Sequence, residues 1–398
     1  MSAHPHTVHI PATEQLVPGK LWLTKLFAIL AVFGIALSVL GALVDDKQFA
    51  YAWFTSYYFY FTIALGSFFW VVLHHATNAC WTVLVRRVWE NVLALFPLFF
   101  VLLIPLLLPH YNALLWKWMS PYADAHELAA REGYLNSGFF YTRLMLYFLY
   151  FWLAGAYYRR CSILQDRDGN PVYSRRMHDH SYVALVIFGV LETFISFDWY
   201  MGLDWRWSSS LFGAYNFGVC IQAGMAAGIV LMAIFRAGGF LRGLNSEHFH
   251  LMGKLLFGFT ILWAYFAFGQ YLLIWFANIP EETVFYNNHN RGEWIYLTYF
   301  MVVGKFMFPM FYLLSQDAKK SLKALSFIAA WIIFMHGVEI YWFVAPFAHA
   351  SIIPNWQDLV AFVTMTSILG YTYIQVASKS ALFPIRDPRL VECLTISN

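Results

Sequence analysis

Residues 249–283 read FHLMGKLLFGFTILWAYFAFGQYLLIWFANIPEET, a long apolar and aromatic run that stops at an Asn-Ile-Pro-Glu-Glu sequence. The hydrocarbon core of a bilayer is about 30 Å thick, and a helix needs roughly 20 mainly apolar residues to cross it. Pro280 lacks an N–H and ends a helix most easily where water satisfies the freed backbone groups. The stretch therefore predicts a transmembrane helix that ends at the membrane surface. Glu281 and Glu282 follow in the adjoining outer loop, where they are candidates for contact with a partner protein or for collecting departing protons. A solvated loop end without either role is the alternative.

The same pattern extends over the whole chain. Apolar and aromatic residues make up 60% of the 398 residues and charged residues only 12%, against about 25% charged residues in an ordinary soluble domain. The strict alternation of a membrane β-barrel is absent, so the apolar runs indicate helices. We predict an all-α integral membrane protein with a single domain over residues 1–398, short tails at 1–21 and 379–398, and ten transmembrane helices over 22–378. The ten runs lie at residues 22–44, 52–79, 89–109, 138–158, 182–204, 211–236, 249–278, 292–315, 322–344 and 356–378.

Basic residues are distributed unequally between the two sides of this predicted bundle. Seventeen Lys and Arg residues fall on the side that holds both termini, and five fall on the opposite side. Positively charged loops of membrane proteins stay in the cytoplasm, so both termini are predicted to be cytoplasmic. Contact between this basic rim and anionic lipid accounts for the net charge of +3 without a nucleic-acid partner.

Cysteine and histidine usage argues against a cofactor bound by this chain. The four cysteines stand singly, without the CxxC or CxxCH spacing of metal, iron–sulfur or covalent haem sites. We therefore expect no metal ligand and no catalytic residue. Haem b held by two histidines stays open as an alternative, although His74, His75 and His336 lie at different depths of their apolar runs.

The ten predicted helices contain a weak internal repeat. Helices two to five and helices six to nine have the same in–out order, which predicts two parallel four-helix bundles with helices one and ten at the flanks. The third helix of each unit carries a basic residue, Arg143 in the first unit and Lys305 in the second. The last helix of each unit carries an acid after a Gly-Val pair, Glu192 and Glu339. Chance is the alternative explanation of these two short matches.

Ionisable side chains at bilayer depth mark candidate functional sites, because each costs about 2.5–3.5 kcal/mol to insert. In the first unit, His74 and His75 lie in the inner third of the membrane, Glu192 near the midplane, and Asp198 and Arg143 further out. Histidine titrates near neutrality, so the two histidines and Glu192 are candidates for a proton pathway. Asp198 and Arg143 are also candidates for this pathway, although Arg143 beside Asp198 fits a charge pair better. A structural role in helix packing is the alternative for each residue.

The second unit contains a further group of ionisable residues. His336 and Glu339 are three residues apart and share a helix face, and Lys305 lies at a similar depth. This group is either a second proton site or a neutralised structural triad.

A quinone pocket requires an apolar slot, aromatic walls and one or two polar groups. Aromatic residues make up 20% of the chain and therefore supply walls everywhere, so composition does not locate such a pocket. The outer sequence DWYMGLDWRW at residues 198–207 fits an interfacial aromatic belt equally well.

Three longer stretches carry a resemblance to a known family. HHATNACWTVLVRRVWENV at residues 74–92, ETFISFDWYMGLDWRWSSSLFGAY at residues 192–215 and QYLLIWFANIPEET at residues 270–283 resemble the F subunit of bacterial alternative complex III. The likeness covers most of the chain. That complex is a quinol:cytochrome c, or other periplasmic acceptor, oxidoreductase of the bacterial inner membrane.

The resemblance implies a polysulfide-reductase-like membrane subunit with two four-helix bundles and two flanking helices. It also implies that haem c and the iron–sulfur clusters belong to partners, namely the C subunit, which is the sister membrane protein, an iron–sulfur protein and c-type cytochromes. For this chain it implies a cofactor-free subunit that supports assembly, with proton conduction or the binding of a quinone such as menaquinone as additional roles. The chain departs from the expected pattern at Trp205-Arg206-Trp207, so a periplasmic contact built on that turn is in doubt.

Two other functions fit the same hydropathy pattern. A quinol-binding membrane anchor of a molybdenum reductase shares the predicted bundle. A secondary transporter predicts inverted repeats and helices broken at the midplane, whereas the repeat here is parallel and the prolines lie mostly at helix ends.

Overall fold

A computed structural model describes residues 22–121 and 123–396 of the chain. Within these ranges the protein is all-helical, without a β-strand, and nine helices are long and apolar enough to cross a membrane. The predicted fourth crossing is present as a 32-residue helix, Ser137–Asp168, but it carries six charged residues and is not among the nine. The predicted N-terminal tail, residues 1–21, lies outside the described residues.

The α-helices are numbered here in chain order. They are α1 Trp22–Val44, α2 Asp46–Thr77, α3 Val83–Leu93, α4 Phe96–Leu107, α5 Pro109–Leu115, α6 Ala125–Ala129, α7 Ser137–Asp168, α8 Val172–Ile195, α9 Phe212–Ala237, α10 Ser246–Ala277, α11 Pro280–His289, α12 Trp294–Met301, α13 Phe308–Leu314, α14 Gln316–Lys320, α15 Leu322–Val344, α16 Trp356–Ala377 and α17 Leu390–Leu394. A π-helical segment, Ser196–Tyr200, extends α8, and a second, Val302–Met307, joins α12 to α13. Short 3-10 helices lie at Lys117–Met119, Met201–Asp204 and Ala345–Phe347.

Contacts between helices fix their relative directions. Gly34 of α1 lies against Thr364 of α16, and Gly41 lies against Gln357 one to two turns nearer the start of α16. The two helices are therefore antiparallel, and the start of α1 and the end of α16 share one face of the bundle. We call this the terminal face.

The other long helices alternately begin and end at the terminal face. Asp387, which follows α16, binds Arg86 near the start of α3. Asp166 near the end of α7 binds Arg87 of α3. Asn245, just before α10, donates a hydrogen bond to the Ile396 carbonyl. The C-terminal segment therefore lies under the ends of several helices.

The centre of the bundle is α2, which is buried over most of its 32 residues. It packs against α3, α8, α9, α15 and α16. Gly66 of α2 and Gly224 of α9 allow these two helices to approach closely, because a Cβ on Gly66 would collide with the Cys220 carbonyl. Side chains on α2 and α9 therefore meet at the centre of the bundle.

The predicted end of the 249–278 run is confirmed. Helix α10 ends at Ala277, and Asn278 adopts a left-handed conformation with φ of 50°, from which its N–H donates to the Ile274 carbonyl. The expected loop after it is instead helix α11, which starts at Pro280 and carries Glu281 and Glu282 in its first turn. Proline at the first position and acids in the first turn both favour a helix N-terminus.

The start of the third crossing differs from the prediction. The sequence suggests a helix from residue 89 with Arg86 and Arg87 in a basic loop, whereas α3 begins at Val83 and both arginines are buried. The helix includes them because Glu90, one turn further along, forms ion pairs with both. The segment between the predicted fourth and fifth runs is also mostly helical, because α7 continues to Asp168 and α8 begins at Val172.

Candidate functional site

Glu339 of α15 is fully buried at the centre of a group of polar side chains. One carboxylate oxygen, Oε1, accepts hydrogen bonds from the Tyr215 hydroxyl at 2.5 Å and from Trp263 Nε1 at 2.7 Å. The other, Oε2, forms an ion pair with Lys305 and lies 3.8 Å from His336 Nδ1. The structure thus brings together the three residues predicted for the second unit, and the carboxylate is matched by a cation and several donors.

Glu192 of α8 has a different environment. Its Oε1 accepts a hydrogen bond of 2.7 Å from Asn216 Nδ2, and Asn216 Oδ1 accepts one of 3.0 Å from the Tyr58 hydroxyl. Its Oε2 has no hydrogen-bond partner, and no ion pair involves Glu192 among the described residues. Burying a carboxylate without a cation is costly. Glu192 can therefore gain or lose a proton without breaking an ion pair between described residues.

Two helices connect the surroundings of Glu192 with those of Glu339. On α2, Tyr58 faces Asn216 while Thr62, one turn further, lies 2.9 Å from His336 Nε2. On α9, Tyr215 binds Glu339 and its neighbour Asn216 binds Glu192. We name this set the central polar network. Its members are Tyr58, Thr62, Glu192, Tyr215, Asn216, Trp263, Lys305, His336 and Glu339.

Arg143 and Asp198 form a bidentate ion pair, which confirms the predicted charge pair. Arg143 Nε lies 2.8 Å from Asp198 Oδ2, and Nη2 lies 2.7 Å from Oδ1. The Tyr147 hydroxyl donates to Asp198 Oδ2 at 2.6 Å. The guanidinium also lies about 4 Å from the ring centres of Tyr134 and Phe139. Asp198 is located in the π-helical segment that extends α8.

The two ion pairs occupy corresponding places in the predicted repeat. In each unit, the basic residue of the third helix binds an acid of the fourth helix, Arg143 with Asp198 and Lys305 with Glu339. In the second unit, the ion-paired acid is the one that follows the Gly-Val pair. In the first unit it is not. Glu192, its counterpart in the first unit, is thereby left without a basic partner among the described residues.

A second group of charged residues lies at the terminal face, and we name it the ionic cluster. Arg86 binds Glu90 at 2.7 Å and Asp387 at 3.0 Å, and Arg87 binds Glu90 at 3.0 Å and Asp166 at 2.8 Å. Four of these side chains are at most 5% exposed, and Asp166 is 12% exposed. The cluster joins α3, α7 and the C-terminal segment.

His74 belongs to the ionic cluster. Its Nε2 lies 2.7 Å from Arg86 Nη1, and its Nδ1 contacts the Thr82 hydroxyl. His75 stacks on the Tyr158 ring, with centroids 5.4 Å apart. Because both ring nitrogens of His74 have partners, this residue offers none to a haem iron.

The predicted series from His74 and His75 to Glu192 is divided into two separate groups. Sixteen residues of α2 separate His74 from Tyr58, which corresponds to roughly 24 Å along the helix. No hydrogen bond between described residues joins either histidine directly to Glu192. Glu281 and Glu282 lie away from both groups, at the face opposite the terminal face.

The neutral members of the central polar network were missed by sequence reasoning. Tyr58, Tyr215, Asn216 and Trp263 carry no charge, and in a chain so rich in aromatic residues they give little signal. Asn216 is the exception, because an amide inside the apolar run FGAYNFGVC is unusual. In the part of the chain that the structure describes, no three His, Cys, Asp or Glu side chains are arranged to hold a metal ion.

No protein-family model matches the sequence, and a comparison with curated proteins finds no match.

Proposed function

We propose that this chain is a cofactor-free membrane subunit of a quinol:acceptor oxidoreductase of the alternative complex III type, and that it conducts protons through the central polar network. One observation carries the proposal. Among the described residues Glu192 is buried without a cation, and its partner Asn216 is the chain neighbour of Tyr215, which donates to Glu339. On α2, Tyr58 donates to Asn216, and Thr62, one turn further, contacts His336. A single static ion pair explains neither the free oxygen of Glu192 nor the chain of hydroxyl and amide groups beside it.

In this proposal the molecule crosses the bacterial cytoplasmic membrane ten times, with both termini in the cytoplasm. Helix α7 is the fourth crossing and adds to the nine apolar helices, and its charges are tolerated because Arg143 is paired inside the bundle and the others lie near its terminal-face end. The two four-helix bundles comprise the second to fifth and the sixth to ninth crossings. The matching ion pairs of the two units support this arrangement.

The chemistry that we assign to the chain is proton exchange. Glu192 takes up a proton on Oε2 and releases it while Asn216 holds Oε1 in place. Tyr58 fixes the orientation of the Asn216 amide by donating to its oxygen. Near α15, Lys305 compensates the negative charge of Glu339. The carboxylate of Glu339 accepts hydrogen bonds from Tyr215 and Trp263 and thereby orients both side chains. Arg143 and Asp198 stabilise the segment that follows Glu192.

The redox chemistry of the complex is assigned to partner proteins. Iron–sulfur clusters and c-type haems belong to the iron–sulfur and cytochrome partners, and the C subunit provides the principal quinol oxidation site. Exposed apolar side chains on α1 and α10 suit contact with lipid and with these partners.

The proposal is tested by Glu192→Gln in the reconstituted complex, with Glu281→Gln as the control. Glutamine preserves the shape and the hydrogen bond to Asn216 but does not exchange a proton. We expect proton uptake to fall at least about tenfold in Glu192→Gln and to stay unchanged for the exposed control. Unchanged proton uptake and unchanged quinol turnover in Glu192→Gln would remove this residue from any pathway.

A quinol-binding anchor of a molybdenum reductase is the second candidate function. It is favoured by a cavity of about 760 Å³ beside Glu339. Purification of the chain from its native membrane separates the candidates. Co-purification with c-haem and iron–sulfur proteins supports the first, co-purification with a molybdenum protein supports the second, and isolation of the chain alone favours a secondary transporter.

A further inference from the structure

Arg159 of α7 is a half-buried cation whose hydrogen bonds all go to neutral oxygens. Its Nε and Nη2 each donate to Asn91 Oδ1 of α3 at 3.3 Å, and Nη2 also donates to the Val376 carbonyl of α16 at 3.0 Å. No ion pair between described residues includes Arg159. Taking a charge out of water costs free energy unless an opposite charge compensates it. The described chain therefore leaves this arginine without an anion.

The acids of the neighbouring ionic cluster are already occupied. Glu90 attracts the Arg159 guanidinium and Arg87 repels it, so the cluster lies close by. Glu90, however, binds Arg86 at 2.7 Å and Arg87 at 3.0 Å. Asp166 binds Arg87 at 2.8 Å. These carboxylates compensate the two arginines of α3 and form no salt bridge with Arg159.

The third nitrogen of the Arg159 guanidinium, Nη1, is open. The hydrogen bonds of Nε and Nη2 to α3 and α16 fix the plane of the group. Nη1 has no hydrogen-bond partner among the described residues, and it is not one of the polar atoms that the protein encloses fully. Its N–H groups therefore reach the surface of the bundle, and the bonds on the other side of the guanidinium set their direction.

The hydrogen bond to Val376 places the guanidinium at the edge of the membrane. Val376 belongs to the last turn of α16, whose apolar span ends at Ala377. The Val376 carbonyl also accepts a hydrogen bond of 3.3 Å from the backbone N–H of Lys379. Lys379 is exposed, so a second cation begins beside Arg159 at the end of the apolar span.

An apolar surface leads to these cations along α7. Leu149 and Leu153 are about half exposed, and Arg160, two turns after Leu153, is exposed on the same side of the helix. The surface of α7 thus changes from apolar to cationic at the level of Arg159 and Lys379. A lipid leaflet changes from acyl chains to phosphate at the corresponding boundary.

Charge and hydrogen-bond geometry narrow the class of ligand to an anionic phospholipid. Phosphate oxygens match the fixed N–H directions of an arginine, which makes arginine well suited to bind them. Arg160 and Lys379 form no ion pair between described residues, so the site keeps an excess of positive charge. This charge repels the ammonium of a zwitterionic headgroup, and free inorganic phosphate has no acyl chain to lie along α7.

We propose that Arg159 Nη1 binds the phosphate of an anionic phospholipid at the terminal face, with Arg160 and Lys379 beside it and an acyl chain along Leu149 and Leu153. Contact between a basic rim and anionic lipid is spread over many residues, whereas this site has one donor held in a fixed direction. The proposal requires α7 to cross the membrane, and it does not depend on proton conduction.

The test is native mass spectrometry of the purified full-length protein, titrated in detergent with dioleoyl phosphatidylglycerol or with dioleoyl phosphatidylcholine. The first phosphatidylglycerol is expected to bind at least about fivefold more tightly than the first phosphatidylcholine. Arg159→Gln should abolish this preference. Arg167→Gln is the matched control and should keep it, because Arg167 is an exposed arginine two turns further along α7 without an ion pair among the described residues. Excess inorganic phosphate should not displace the lipid.

A double variant keeps the test valid if Arg159→Gln fails to fold. The side chains of Arg160 and Lys379 are exposed and make no hydrogen bond among the described residues, so Arg160→Gln with Lys379→Gln leaves the packing intact. It is expected to reduce the preference at least about threefold. Equal affinity for the two lipids in the wild-type protein, equal loss in Arg159→Gln and Arg167→Gln, or displacement by inorganic phosphate would overturn the proposal. An unchanged preference in the double variant would overturn it as well.

The outcome is independent of the proton experiment. The lipid titration is made without turnover, and Arg159 lies outside the central polar network. Equal affinity for the two lipids refutes the phospholipid site and leaves proton conduction standing. A preference for phosphatidylglycerol that Arg159→Gln abolishes, together with unchanged proton uptake in Glu192→Gln, would refute proton conduction and leave the phospholipid site standing.

Discussion

At the scale of single residues, the buried carboxyl groups Asp198 and Glu339 are held in ion pairs, whereas Glu192 has no ion pair among the described residues. Asp198 binds Arg143 in two places, and Glu339 binds Lys305 together with two neutral donors. Glu192 has one amide donor. The Arg143 and Asp198 pair and the grouping of Lys305 with Glu339 could be predicted from the sequence, because these residues lie at similar depths of their apolar runs. The amide of Asn216 as the partner of Glu192 could not, because a neutral side chain gives little signal in an apolar run.

The Lys305 and Glu339 pair is expected to behave as a unit. Lys305→Met leaves a buried carboxylate uncompensated, which destabilises the protein by about 3–5 kcal/mol. The double variant Lys305→Met with Glu339→Gln removes both charges and should recover most of the loss. Thermal unfolding in detergent measures both. Removal of the exposed Arg206 to Glu127 pair by Arg206→Met should cost at most about 1 kcal/mol. A double variant no more stable than the single one would contradict the pairing.

His349, in the connection between α15 and α16, introduces a dependence of stability on pH. Its Nε2 lies 3.7 Å from Asp358 Oδ2, and the nearby carboxylate of Asp358 raises the pKa of His349 above its ordinary value. The stabilisation is complete below the unfolded pKa of about 6.5 and is lost as pH rises through the raised folded value. The unfolding temperature should therefore fall as pH rises from about 6.5 through the raised folded pKa, and His349→Gln should flatten that part of the profile. Identical profiles for both proteins would rule the contact out.

At the scale of helices, the ends could be predicted where backbone chemistry determines them. Pro280 and the apolar run before it located the end of α10. The start of α3 was predicted wrongly, because Arg86 and Arg87 read as loop charges when judged by composition. Glu90 is a local partner of both arginines, but Asp387, which binds Arg86, lies 301 residues away in the chain, and no local pattern reveals that contact. The burial of a charged turn inside a helix thus depends on tertiary pairing.

The close contact between α2 and α9 is the packing feature on which the central polar network depends. Gly66→Ala forces the two backbones apart, so we expect a loss of at least about 1–3 kcal/mol in the free energy of unfolding. Gly189→Ala is the matched control, because nothing lies within 4 Å of the added Cβ on α8. Thermal unfolding of both variants provides the comparison. Equal stability of the two would show that the helices do not touch at Gly66.

At the scale of the whole molecule, the alternating helices place the C-terminal segment and the ionic cluster at the terminal face. The excess of basic residues predicts that this face is cytoplasmic. The loop charges alone are enough to predict the orientation. The ionic cluster between α3, α7 and the C-terminal segment could be found only from the three-dimensional structure. Pairing of Arg86 and Arg87 with three carboxylates also means that these two arginines are not free to bind lipid.

Labelling of single cysteines tests this orientation. In a background with Cys80→Ser, Glu281→Cys should react with a membrane-impermeant maleimide in right-side-out cells, because Glu281 is exposed at the end of the molecule opposite the terminal face, which is predicted to lie outside. Lys379→Cys, exposed next to the terminal face, should react only after the membrane is opened. The reverse pattern of labelling would invert the topology.

The most direct test of the central claim is an infrared difference spectrum of the complex, recorded between resting and turning-over states. Protonation of a buried carboxyl gives a C=O stretching band distinct from that of a carboxylate. We predict a band that changes on turnover, disappears in Glu192→Gln, and shifts in Asn216→Leu, which removes the hydrogen bond to Oε1. A spectrum in which the carboxyl band is the same in wild type and Glu192→Gln would contradict proton exchange at Glu192.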